Sequence, residues 1–229
     1  MFIDGPRQPP RAGAPAKLVI FCHGYGSNGE DLIGLAAYWR ERLPDAVFVS
    51  PNAPEAVPGF PGGHQWFAIT RMDPDAMAAG ARRAAATLDA FIDAELARYG
   101  LPASACALVG FSQGTMMALH VGLRRAESLA AIVGYSGALV GPEALPGEIR
   151  SRPPVLLAHG DSDDMVPVAA LFAALQGLSA ADVPTKFHVS PGLGHSIDED
   201  GLSLGGAFLA DAFTGRLAGW SPPEPTRAS

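Results

Sequence analysis

The chain has 229 residues, 48% of them hydrophobic, which is enough for one domain with a sizeable core and too apolar for disorder to dominate. Its formal net charge is −7, Lys17 and Lys186 are its only lysines, and no run of arginines forms a basic stripe. That balance argues against a nucleic-acid binder and against docking on anionic lipid by charge alone. The two cysteines, Cys22 and Cys106, are too few for a disulfide scaffold and belong to no Cys-x-x-Cys or Cys/His cluster, so they read as buried reduced thiols and no metal is expected.

Residues 1–16 carry four prolines and two arginines but no apolar core, so they read as a flexible segment and not as a secretory signal. Residues 17–219 read as a single domain, and residues 220–229 as a disordered tail. The uncharged stretches Ser128–Pro142 and Met165–Ala181 are interrupted by Gly, Ser, Pro and Gln, and neither makes a convincing membrane span of about 20 apolar residues. A cytoplasmic protein with no membrane partner is the expectation.

Short apolar runs at Leu18–Cys22 and Ala46–Ser50 predict the first strands. The Pro- and Gly-rich stretch Pro51–Asp73 is too long for a mere connector and is expected to cover or shape a site. A long helix over Pro74–Tyr99 follows: Asp73 is placed to cap it, Pro74 suits its first turn, and Gly100 ends it. Further strands are expected at Cys106–Gly110, Ala130–Tyr135, Val155–His159 and Lys186–Ser190, and helices at about Gln113–Arg125, Pro167–Leu178 and Gly201–Leu217. Strands apolar on both faces and alternating with helices predict an α/β fold, a mostly parallel sheet covered by helices on both faces.

Gly110-Phe111-Ser112-Gln113-Gly114 matches Gly-x-Ser-x-Gly, follows a strand and opens a helix, the context of a nucleophile elbow. A serine on so tight a turn crowds the residues two before and two after it, and the glycines relieve that crowding. A second Gly-x-Ser-x-like stretch, Gly134-Tyr135-Ser136-Gly137-Ala138, opens no helix, and Ser136 reads as a loop residue near the site.

A serine nucleophile needs a base, and in chains with this elbow the order is Ser, acid, His. His195, in the glycine-rich loop Pro191–Ser196 after the last strand, is the best base; His120 and His188 read as packing or surface residues and His159 as a loop support. The acid belongs after Val155–His159, where Asp161 and Asp163 compete on spacing alone; Asp164 reads as the cap of the helix near Pro167. The backbone N–H of Gln113 is one expected oxyanion donor, and the Gly-rich loop His23–Asp31 supplies the other at Tyr25, with Gly26 as the alternative. Trp66, Phe67, Phe111, Met116, Met165 and Leu193 are candidate pocket walls.

Taken together, His23-Gly24-Tyr25-Gly26 with Gly29-Glu30-Asp31-Leu32, Pro51-Asn52-Ala53-Pro54, Gln65-Trp66-Phe67, the Ser112 pentapeptide, His159-Gly160 with Asp163 and Val166-Pro167, and Gly194-His195 resemble the phospholipase/carboxylesterase family, which includes acyl-protein thioesterases and small bacterial carboxylesterases. The resemblance implies a compact α/β-hydrolase without a large lid or cofactor, frequently a homodimer. It places the triad on Ser112, Asp163 and His195 and the oxyanion donors on Tyr25 and Gln113. It further implies hydrolysis of small-molecule carboxylic esters with short to medium acyl chains, closer to the bacterial esterases because Tyr25 stands where the eukaryotic thioesterases usually carry leucine. The alternatives are a thioesterase on acyl-proteins or acyl-CoA and, more remotely, a non-catalytic binding module on the same fold.

Overall fold

The computed structural model describes residues 2–69 and 73–217. Its elements in chain order are β1 (Arg7–Gln8), β2 (Lys17–Cys22), α1 (Gly29–Ile33), α2 (Ala36–Trp39), β3 (Ala46–Val49), β4 (Glu55–Ala56), β5 (His64–Gln65) and α3 (Pro74–Tyr99). After a 3-10 turn at Ala103–Ala105 come β6 (Cys106–Phe111), α4 (Gln113–Gly122), β7 (Ala131–Tyr135), α5 (Leu145–Glu148), β8 (Val155–Gly160), α6 (Ala169–Ala180), β9 (Thr185–Ser190) and α7 (Glu199–Phe213).

Seven strands form one sheet in the order β1-β3-β2-β6-β7-β8-β9, and β4 and β5 make a separate two-stranded hairpin. All pairings in the large sheet are parallel except β1 with β3. Side chains alternate between its faces as the pleat requires. Leu18, Ile20 and Cys22 of β2 enter one core with α3, α4 and α6, while Val19 and Phe21 enter the other with α1, α2 and α7. Burial on both faces explains why these strands read as continuous apolar runs. Cys22 and Cys106 are free and fully buried, and burial pushes the Cys106 thiol up to about 12.

The chain leaves β2 toward β3 on one side and returns to β6 on the other, so the crevice beyond the carboxyl ends of β2 and β6 is a topological switch point. That is where a ligand site belongs in an open parallel sheet, and both candidate motifs, the loop after Cys22 and the turn at Ser112, lie there.

Helix α3 has the boundaries expected from its caps: Asp73 accepts from the Ala76 N–H, and Gly100 takes the left-handed conformation at φ 64°. Residues 2–16 differ from the expectation of a flexible segment. Arg7 and Gln8 pair antiparallel with Val49 and Phe48, and Ile3 is buried. The Arg7 guanidinium makes a two-point contact of 3.0 and 2.6 Å with Glu95, a carboxylate buried within α3. The sequence pattern concealed this because two residues are too few to show a strand period, and an ion pair 88 residues apart leaves no local signal. Residues 218–229, and with them the whole of the expected tail 220–229, lie outside the described residues. Among the described residues, no helix is long and apolar enough to cross a membrane.

Candidate active site

Ser112 ends the run of β6 and caps α4 with φ 54° and ψ −117°, a backbone conformation that costs a non-glycine residue on the order of 1–3 kcal/mol. The surroundings enforce it. A Cβ at Gly110 would lie 2.4 Å from the Thr115 nitrogen, and one at Gly114 would lie 1.8 Å from the Cys22 carbonyl oxygen. Both glycines are therefore required by close backbone approach, and the turn presents Ser112 to a cavity of about 630 Å³. Ser136 also has positive φ, 46°, but is buried, and its hydroxyl donates to the Ser196 carbonyl at 3.2 Å. It braces the residue after His195.

His195 lines the same cavity as Ser112. Its Nδ1 lies 2.8 Å from Asp163 Oδ2, and the Phe111 ring packs on it with centroids 4.9 Å apart. With the proton on Nδ1, donated to the carboxylate, Nε2 carries a lone pair. The Asp163 carboxylate is fully buried, and its other oxygen accepts from the Met165 and Val166 N–H groups at 2.9 and 2.8 Å. Burial by itself would raise its pKa, but the His195 contact and the two backbone donors outweigh burial and hold it below the usual carboxylate value.

Of the two aspartates left open by spacing, Asp163 is the one in contact with His195. Asp161 does not face the imidazole; its carboxylate accepts from the Gly192 N–H at 2.7 Å and the Ser162 hydroxyl at 2.8 Å, tying the β8 loop to the His195 loop. Leu193 serves the same junction through its carbonyl, which accepts from Ser162 N–H at 3.0 Å, and it is not among the cavity's lining residues. Asp164 is not a cap: α6 starts two residues later than expected, at Ala169, with Val168 before it and no side-chain cap. The donors of the preceding turn are already taken by Asp163. His159 lends the loop support expected of it, with Nε2 2.7 Å from the Val166 carbonyl.

Tyr25 and Gln113 both line the cavity. Gln113 opens α4, so its N–H has no partner within the helix. Phe111, Met116 and Met165 line the cavity as expected, joined by Leu32, Ile69, Val166 and Ile197. Trp66 and Phe67 do not; they are 1% and 2% exposed and belong to the core beneath it.

The role of the Trp66 segment is instead to hold the loops together. The Trp66 indole N–H donates to the His23 carbonyl at 2.9 Å. The Gln113 side chain accepts from the Trp66 N–H at 2.9 Å and donates to the Phe67 carbonyl at 2.8 Å. His23 is fully buried, accepts from the Ala53 N–H through Nε2 at 2.9 Å, and has Nδ1 2.7 Å from the Gly24 carbonyl. That is the pattern of a neutral imidazole, and burial lowers its pKa to about 4. Sequence reasoning treated His23 and the Gln113 side chain as parts of motifs; their bridging contacts span 30 and 47 residues and have no local signature. Among the described residues, no group of three or more His, Cys, Asp or Glu side chains is placed to hold a metal ion.

Comparison with known proteins agrees with this architecture. Residues 8–211 match the model of a family described as Phospholipase/Carboxylesterase. The chain is similar to Esterase YpfH of Escherichia coli, 31% identical over 194 residues that cover 82% of this chain and 79% of that protein. It is also similar to Acyl-protein thioesterase 1 of Neurospora crassa, 31% identical over 223 residues covering 88% and 89%. Among solved structures, that of esterase PE8 has a TM-score of 0.89 at 47% identity and covers 93% of this chain and 100% of that one.

Proposed function

Because this chain belongs to the phospholipase/carboxylesterase family of hydrolases, we propose that it hydrolyses carboxylic esters of short to medium acyl chain through an acyl-enzyme on Ser112. The observation that carries the reading is the 2.8 Å contact of His195 with buried Asp163 at a cavity that His195 shares with a strained Ser112.

In this reading the Asp163 carboxylate holds the Nδ1–H tautomer, so His195 Nε2 accepts the Ser112 proton as the hydroxyl oxygen attacks the ester carbonyl. The Tyr25 and Gln113 N–H groups receive the developing oxyanion. The imidazolium returns its proton to the leaving alcohol. Water, deprotonated in turn by His195, then attacks the acyl-enzyme and frees Ser112 and the acid. The largely apolar walls from Leu32, Phe111, Met116 and Ile197 suit an acyl chain, and a cavity of about 630 Å³ accommodates a short or medium one. The family resemblance extends the proposal to a cytoplasmic homodimer.

The likeness to an acyl-protein thioesterase along 88% of the chain favours a second reading, cleavage of thioesters by the same steps. Matched oxygen and sulfur esters separate the two. The proposal as a whole is tested by p-nitrophenyl butyrate turnover and fluorophosphonate labelling. Ser112 is the expected labelled residue, and Ser112→Ala is expected to lose both; turnover that survives this substitution would overturn the assignment.

A further inference from the structure

The walls of the cavity are mostly apolar, and the one carboxylate among the described residues that line it is Asp31, on the short helix after β2, beside Ser27. Asp31 is exposed, and its Oδ2 accepts from the Ser27 hydroxyl at 2.8 Å. No arginine or lysine is among the described residues that line the cavity, and the Asp31 carboxylate has no cationic partner among their hydrogen bonds and ion pairs. Asp31 therefore sets a negative potential at the solvent-open side of the crevice, one that added salt screens. The charge of the whole chain, −7, adds to it.

Resting on the esterase reading above, we propose that Asp31 is a specificity-determining residue that selects esters by charge, favouring cationic or neutral substrates and rejecting those with an anionic group near the scissile bond. A substrate ammonium within several ångströms of the carboxylate is attracted and an anion repelled. No contact with the reacting carbonyl is needed, so the effect falls on binding and encounter. Polyanionic thioesters such as acyl-CoA are among the substrates this disfavours.

The test uses three butyrate esters of similar shape: choline butyrate, its uncharged carbon analogue 3,3-dimethylbutyl butyrate, and 3-sulfopropyl butyrate. A parallel phenyl-ester set carries the charge on the acyl side, as a trimethylammonio or carboxylate terminus. At low ionic strength, the cationic-to-anionic ratio of kcat/KM is expected to be about tenfold or more in at least one set. It should shrink toward unity as salt is raised, a measurement on the unaltered protein that no folding defect can mimic. Asp31→Asn should collapse the ratio at least threefold, Asp31→Glu should retain it, and Glu30→Gln, which removes an exposed charge outside the lining, should not collapse it. Ser112-dependent turnover of the neutral ester, with a charge ratio near unity at all salt concentrations, would overturn this inference and leave the esterase reading standing. No Ser112-dependent turnover of any ester would overturn both.

Discussion

The Gln113 side chain holds the backbone of Trp66: its carbonyl oxygen accepts the Trp66 N–H at 2.9 Å while its amide donates to Phe67 next door at 2.8 Å. One residue thus offers its own N–H at the start of α4 and anchors the segment that pins the loop after β2. Both backbone partners are buried, so removing the amide leaves a donor and an acceptor without water or protein to replace it. Gln113→Ala is expected to lower stability by about 3 kcal/mol in urea unfolding and to reduce kcat on a neutral ester roughly tenfold. An unchanged urea midpoint would show that the two contacts do not hold the loop.

The two loop aspartates carry opposite expectations. Asp163→Asn replaces the acceptor that orients His195 and is expected to lower kcat by about 10⁴ through the wrong tautomer. Asp161→Asn touches only the Gly192 and Ser162 contacts and is expected to lose less than about tenfold. Ester turnover by the two variants decides between them, and equal losses would remove Asp163 from its proposed place.

Two buried histidines set the acid limit of stability. Burial lowers both His23 and His120 to about 4 from the ordinary 6.5. Between those pH values the unfolded chain holds protons that the folded chain does not, so stability falls as pH drops from about 6.5 to about 4. The Asp163 carboxylate, with its pKa lowered on folding, adds a further loss only below the ordinary carboxylate range. His120 Nδ1 is buried without a hydrogen-bond partner, so His120→Leu sacrifices little and is expected to flatten the decline in the urea midpoint between pH 6.5 and pH 4.5. An identical slope in variant and parent would contradict the assignment of that decline to His120.

The N-terminal segment is expected to matter for stability. Arg7 is the two-point partner of buried Glu95, whose other contact, with Arg98 at 3.1 Å, involves a half-exposed guanidinium. Arg7→Ala leaves that buried carboxylate poorly compensated, at a cost of about 3 kcal/mol. Double substitution with Glu95→Gln should recover part of the loss. A neutral Arg7→Ala in urea unfolding would mean that the Arg7–Glu95 pair adds nothing to stability.

What the amino-acid sequence determined alone was much of what short-range physics governs, though not the start of α6, where Asp164 is no cap. The Asp73 and Gly100 caps set both ends of α3, the apolar runs marked the parallel strands, and the glycines two places either side of Ser112 announced the tight turn. Each depends on neighbours a few residues away, so each leaves a local pattern. Spacing left open which aspartate faces His195 and the family resemblance pointed to Asp163, but the contact itself comes from the tertiary structure, because it depends on how the loops after β8 and β9 meet across 32 residues. The tertiary structure alone placed Trp66 and Phe67 under the cavity and not in its wall, and paired Arg7 with Glu95. Apolarity shows that a side chain seeks burial, not which surface will bury it. Charge shows that a group needs a partner, not which distant residue the fold will bring.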